Sequence, residues 1–164
     1  MGELTAFPPL IEGQPRVLIL GTFPSPVSRE KREYYGNPRN QFWRIVFDAQ
    51  NLAFDNPSYD EKKAALFQNS IALWDVISSC EADSALDTSI RNPVYNTQLP
   101  MFIAKNKITA IFFNGGNAHR FYKRGIGIID GMVLPSTSPA NARLKYQEKL
   151  LLWSEALREA LADR

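Results

Sequence analysis

Apolar residues along the chain fall into two patterns. The first is the short uninterrupted run closed by turn residues, which reads as a strand buried on both faces. Arg16-Val-Leu-Ile-Leu-Gly21 is the clearest, ending at Gly21 ahead of Pro24 and Pro26. Ile71-Ala-Leu-Trp-Asp-Val-Ile77 and Ile108-Thr-Ala-Ile-Phe-Phe113 repeat it, and Gly131-Met-Val-Leu134 before Pro135 is a fourth. The second pattern is helical. It covers Asn40 to about Gln50, Tyr59 to Phe67 behind the capping box Ser58-x-x-Glu61, Leu99 to Lys105, and Asn117 to Arg124. From about Arg143 to Ala162, Tyr146, Leu150, Trp153, Leu157 and Leu161 recur at helical spacing and form one apolar stripe.

Strands alternating with helices predict an α/β fold, a three-layer α/β/α arrangement around a central, mostly parallel four-stranded sheet. A length of 164 residues suits a single domain spanning residues 1–164. Ligands of such sheets sit at the carboxyl ends of the strands, which directs attention to four predicted loops: Thr22 to Arg39, Ser78 to Pro93, Asn114 to Asn117 and Pro135 to Asn141.

Composition narrows the chemistry. Apolar residues make up 45% and charged residues 22% of the chain, which excludes disordered and collagen-like classes. One cysteine, Cys80, and one histidine, His119, allow neither a disulfide framework nor a Cys/His zinc cluster; no metal or other cofactor is expected. No apolar run is long enough for a membrane helix, and the reading is a cytoplasmic protein with no membrane partner. A net charge of +2 permits nucleic acid as a partner without arguing for it.

The first loop is long for a strand-to-helix connection, and loops of that length are usually functional. It runs from Gly21-Thr-Phe-Pro-Ser25 through a charged stretch into Tyr34-Tyr-Gly-Asn-Pro-Arg-Asn-Gln-Phe-Trp43. The competing structural reading makes Asn40 the N-cap of the following helix. The last loop, Leu134-Pro-Ser-Thr-Ser-Pro-Ala-Asn141, offers small hydroxyls and backbone amides suited to phosphate; its structural alternative is a polar turn ahead of the last helix.

Taken together, these segments resemble the motifs of the uracil-DNA glycosylase superfamily, and within it the hypoxanthine-DNA (deoxyinosine) glycosylase branch, with Leu73-Trp-Asp75 and Phe112-Phe-Asn114 falling between them in the expected order. The resemblance implies a monomeric enzyme that acts on DNA containing a deaminated base. It maps the catalytic Asn onto Asn40, with Asn141 assisting. Tyr35 falls where relatives place an aromatic ring that stacks on the extruded base, and Phe23 offers a second face. Phe23 also occupies the position where better-known branches carry an Asp or Asn to handle the attacking water, which counts against an ordinary uracil glycosylase. Ser136, Thr137 and Ser138 fall in the loop that pinches phosphates; Ser25, Arg39 and Arg143 complete the expected DNA contacts.

Two further residues join the base pocket. Asp75 ends a core strand, and a carboxylate accepts hydrogen bonds only. It would take the N1–H of hypoxanthine and repel the N1 lone pair of adenine; capping a loop amide is the alternative. Asn114 is the other candidate reader. His119 and Arg120 to Arg124 read as a basic surface helix, Cys80 as an inert thiol, and Asp87 as a loop cap that could line the pocket. The rival functions are a uracil or mismatch glycosylase, an inactive DNA-binding module of the same fold, and a serine hydrolase using Ser25 or Ser138, for which no Gly-x-Ser-x-Gly elbow exists.

Overall fold

A computed structural model describes residues 2–82, 89–127 and 130–162. In chain order it comprises β1 (Gly2–Thr5), β2 (Val17–Gly21), α1 (Pro26–Lys31), α2 (Phe42–Ala49), α3 (Tyr59–Gln68), β3 (Ile71–Asp75), β4 (Ile77–Ala82), β5 (Arg91–Tyr95), α4 (Leu99–Lys105), β6 (Ala110–Asn114), α5 (Gly116–Gly125), β7 (Met132–Leu134) and α6 (Tyr146–Leu161). The central sheet has the order β3-β2-β6-β7, and every neighbouring pair in it is parallel.

Alternation along β2 explains the three layers. Val17 and Ile19 face one side and pack with Phe42, Trp43, Ile45, Leu66, Trp153 and Leu157, from α2, α3 and α6. Leu18 and Leu20 face the other and pack with Leu99, Ile103, Ala118 and Tyr122, from α4 and α5. All four β2 residues are completely buried, as expected for a strand covered on both faces. The stripe read from the last helix is the one used: Trp153 and Leu157 are buried in the first cluster, with Tyr146, Leu150 and Leu161 packed against it.

The predicted strand Ile71–Ile77 is two strands in different sheets. β3 ends at Asp75, and after Val76 the chain enters β4, which pairs antiparallel with β1 and β5 in a second, three-stranded sheet. An apolar run does not reveal this break, because Val76 and Ile77 are as buried as the strand before them. The expected loop from Ser78 to Pro93 is accordingly replaced at its ends by β4 and β5; Asp87 lies outside the described residues. The first loop also contains α1, capped by Ser25, whose side chain accepts from the Ser28 amide. The last helix begins at Tyr146 rather than Arg143 because Lys145 is extended, with its amide held by Glu148 Oε1 at 2.9 Å.

Helix α6 reaches the site loops through Trp153. This fully buried ring meets Phe42 edge-on with centroids 6.1 Å apart, and its Nε1 donates to the Pro135 carbonyl at 2.9 Å. Trp153→Phe leaves that carbonyl unpaired, and the loss of the hydrogen bond alone is expected to lower stability by about 1–3 kcal/mol, read as a lower urea midpoint.

Candidate active site

At the carboxyl ends of β2, β3 and β6, a partly open cleft of about 180 Å³ is lined by the first and last loops. Phe23, Ser25, Tyr35, Asn40, Asp75, Asn114, Ser136, Thr137 and Ser138 all contribute to its wall. Nine of the twelve residues singled out from sequence therefore meet in one place. Asn141, Arg39 and Arg143 do not line the cleft; both arginines are exposed, and Asn141 is half-buried.

The floor is set by close approach at Gly21. A Cβ there would lie 2.7 Å from Asp75 Oδ1 and 3.1 Å from the Tyr35 hydroxyl. The absence of a side chain on the last residue of β2 is what admits both groups. Asp75 is 5% exposed, and its carboxylate has no ion pair or hydrogen bond among the described residues. Its backbone carbonyl accepts from the buried Asn96 amide at 3.0 Å, which fixes the end of β3. Burial raises the Asp75 pKa from the usual carboxylate range to about 7, because a charged carboxylate loses hydration there. The expected capping of a loop amide by its side chain is absent among the described residues.

Tyr35 is held in a left-handed backbone conformation, φ 52°, which costs a bulky residue roughly 1–3 kcal/mol. Its neighbours impose it. The Tyr34 amide donates to the Tyr59 hydroxyl, the Tyr34 carbonyl accepts from Trp43 Nε1, and the Gly36 amide donates to Ser28 Oγ. One face of the Tyr35 ring stacks on Phe42 at a centroid distance of 4.1 Å. The hydroxyl is shielded from solvent and makes no hydrogen bond at bonding geometry. Burial, and then the nearby Asp75 carboxylate, push its pKa up, while the Asn114 amide is close enough to offset part of the rise. Phe23 stands nearby with the Arg29 guanidinium 5.8 Å from its ring centroid.

Asn40 precedes α2 by two residues, and Gln41 occupies the N-cap position. The capping expected of Asn40 is nevertheless partly realised, because its Oδ1 accepts from the Phe42 amide, the first of the helix, at 2.9 Å. That bond orients the side chain and leaves the Nδ2 hydrogens without a described partner. Capping and chemistry are compatible uses of this one side chain.

The last loop is tied down from three sides. Asn114 Oδ1 accepts from the Thr137 amide and Asn114 Nδ2 donates to Thr137 Oγ1, both at 3.0 Å. The Thr137 carbonyl accepts from the Gln41 amide at 3.0 Å. Thr137 is 1% exposed, so it anchors the loop from inside, and Asn114 serves first as its partner. Ser136 Oγ and Ser138 Oγ accept from the Ser138 and Ala140 amides while keeping their own hydrogens available. Asn141 Nδ2 donates to the Ser136 carbonyl at 3.1 Å, closing the turn. His119 packs on Phe113 away from the cleft, and Cys80 is a buried free thiol.

Sequence reasoning missed Gln41, Asn96 and Lys149. For Lys149 a signal existed, since it stands three residues after Tyr146 and four before Trp153, on the buried side of α6. No helix among the described residues is long and apolar enough to cross a membrane.

Comparison with known proteins agrees with this fold. Residues 8–162 match the family model of the uracil DNA glycosylase superfamily. The chain belongs to that superfamily. It is 36% identical over 139 residues to a hypoxanthine DNA glycosylase of Methanosarcina acetivorans, covering 84% of this chain and 87% of the relative. A hypoxanthine DNA glycosylase of Methanosarcina barkeri is 30% identical over 154 residues, covering 93% and 96%. A solution NMR structure of a candidate uracil DNA glycosylase from M. acetivorans superposes with a TM-score of 0.74 at 31% identity, covering 97% of this chain and 99% of that one.

The raised pKa of Asp75 has a definite sign in stability. The unfolded chain releases this proton near the ordinary value of 3.8, whereas the folded chain holds it to about 7. The folded state binds the extra proton, so its contribution is fully present below about pH 3.8 and is lost as pH rises towards about 7. Asp75→Asn removes the titration; urea midpoints measured across that window should fall less steeply with pH than those of the wild type.

Proposed function

We propose that this protein is a monofunctional DNA glycosylase that extrudes a deaminated base, hypoxanthine above all, and hydrolyses its bond to the sugar, leaving an abasic site. The observation that carries the reading is the buried, unpaired Asp75 carboxyl group on the floor of a cleft built from both superfamily motifs. Names of relatives over most of the chain support the same substrate.

Deamination of adenine turns an amidine into a lactam: the ring nitrogen gains a hydrogen and the exocyclic amine becomes a carbonyl. In its ionised form, which prevails above about pH 7, the Asp75 carboxylate accepts from N1–H and meets an N1 lone pair with repulsion, leaving a buried acceptor unpaired at about 1–3 kcal/mol. Asp75 thus serves as the selector. It does not accelerate cleavage, because a negative group against the departing base opposes the charge that develops there.

The sugar–base bond is out of reach in a stacked duplex, so the nucleotide must leave the helix and be held in the cleft. Phe23 and the free part of the Tyr35 ring supply apolar contact for the base. As the bond breaks, its electron pair moves onto the base and the sugar gains positive charge; water adds its hydroxide to C1′ and its proton ends on the base. Asn40 is a weak proton acceptor, and the Phe42 amide already donates to its oxygen. Its contribution is orientation of water and donation from Nδ2 to the leaving base. Ser25, Ser136 and Ser138 line the cleft and, with the exposed Arg39 and Arg143, suit phosphates on either side of the flipped nucleotide; Asn141, which closes the last loop, assists Asn40 in catalysis. Thr137 and Asn114 act by holding that loop in shape. The unit is residues 1–164 acting as a monomer on DNA in the cytoplasm.

Matched duplexes carrying inosine, uracil or xanthine, incubated with the protein in chelator and then treated with alkali, test the reading. Cleavage at inosine is expected to be fastest; a folded protein that cuts none of them rejects it. In single-turnover assays, Asn40→Ala should slow hypoxanthine release by roughly tenfold or more. The same change should lower stability by about 0.5–2 kcal/mol, since a helix-start bond is lost. A less stable variant of unchanged rate would confine Asn40 to capping.

A further inference from the structure

Lys149 lies on the buried side of α6 and is 2% exposed. Its Nζ donates to Gln41 Oε1 at 3.0 Å and to the Asn141 carbonyl at 2.9 Å. Gln41 follows Asn40 directly and opens α2; Asn141 closes the last loop. One ammonium group therefore joins the two segments that bear both catalytic candidates. We infer that Lys149 is a positioning residue of the glycosylase, setting the distance between the Asn40 and Asn141 segments through its two hydrogen bonds. This rests on the glycosylase reading above.

A plain packing role accounts poorly for a lysine here. Both acceptors are neutral, and no carboxylate among the described residues lies within ion-pair distance. A buried ammonium without a counter-charge is costly, and apolar residues of similar volume are commonly as stabilising or more so. Its neighbourhood adds to that cost, because the start of α2 carries the positive end of the helix dipole. Burial lowers its pKa, in keeping with that setting. Two donors at fixed separation are what the lysine supplies and a methionine cannot. The Gln41 amide already bonds to the Thr137 carbonyl, so backbone and side chain of the same residue are both tied towards the last loop. The lysine completes a brace around the mouth of the cleft without entering it.

The test is single-turnover hypoxanthine release at saturating enzyme, with the fraction of active enzyme obtained from the amplitude and affinity from binding to an abasic-site duplex. For Lys149→Met, the rate constant is expected to fall roughly tenfold or more, as for small displacements of reacting groups, with amplitude and melting temperature little changed. Lys149→Cys, made in a Cys80→Ala background because that buried thiol would otherwise be alkylated too, then aminoethylated in the unfolded state and refolded, restores the ammonium and should recover most of the rate seen for Cys80→Ala alone. Gln41→Leu, which keeps the lysine and removes one acceptor, should show a smaller loss of the same kind. If Lys149→Met does not fold, the Gln41→Leu and aminoethylated proteins decide the matter. A rate constant unchanged in Lys149→Met, a loss confined to amplitude, or an aminoethylated protein that stays slow overturns the inference. Wild-type protein inactive on inosine would overturn the glycosylase reading itself, whereas active wild type with an equally fast Lys149→Met removes only the role of Lys149.

Discussion

Everything at the mouth of the cleft depends on how Thr137 is held. Its amide and hydroxyl exchange hydrogen bonds with one side chain, Asn114, at the end of β6. Its carbonyl takes the Gln41 amide at the start of α2. A loop of small residues and prolines has little apolar surface with which to fix itself, and ordering each of its residues costs about 1–2 kcal/mol in backbone entropy. Three hydrogen bonds to a residue 1% exposed satisfy polar groups that burial would otherwise penalise, and they tie the loop to two elements of the rigid core. Trp153 repeats the device two residues earlier by bonding the Pro135 carbonyl.

The first loop uses a different solution. Its aromatic residues are locked by their own backbone partners, and Tyr35 is forced into a strained conformation between two clamped neighbours. Strain of that kind persists only where the surroundings over-determine it. The result is a site whose walls come from loops but whose coordinates come from strands and helices, which suits chemistry that relies on placement more than on a strong acid or base.

Much of this was legible in the sequence, for identifiable reasons. Runs such as Val17 to Leu20 can be nothing but doubly covered strands once four of them alternate with helices, and the carboxyl-end rule then selects the loops carrying Asn40 and Ser136. The second sheet was hidden because Val76 and Ile77 continue an apolar run across a change of partner; hydrophobicity records burial and not which strand lies alongside. Thr137 and Asn114 were expected at the ligand, yet they chiefly bond each other, a pairing between residues 23 apart that no local pattern encodes. Asn40 illustrates the opposite lesson. Two readings that compete on paper share one side chain, the oxygen serving the helix and the nitrogen left for the cleft.

The single-residue passage from β3 into β4 bears on how this protein could change over evolutionary time. The Val76 amide bonds to the Gly21 carbonyl at 2.9 Å and the Ile77 amide to the Thr22 carbonyl at 3.1 Å, so the backbone beneath Asp75 and Phe23 is stitched between two sheets. Insertions or deletions there would shift the register of both. On the proposed reading of the site, the breadth of bases accepted can drift through replacement of side chains at Phe23, Asp75 or Tyr35, but the depth of the pocket is inherited with the fold.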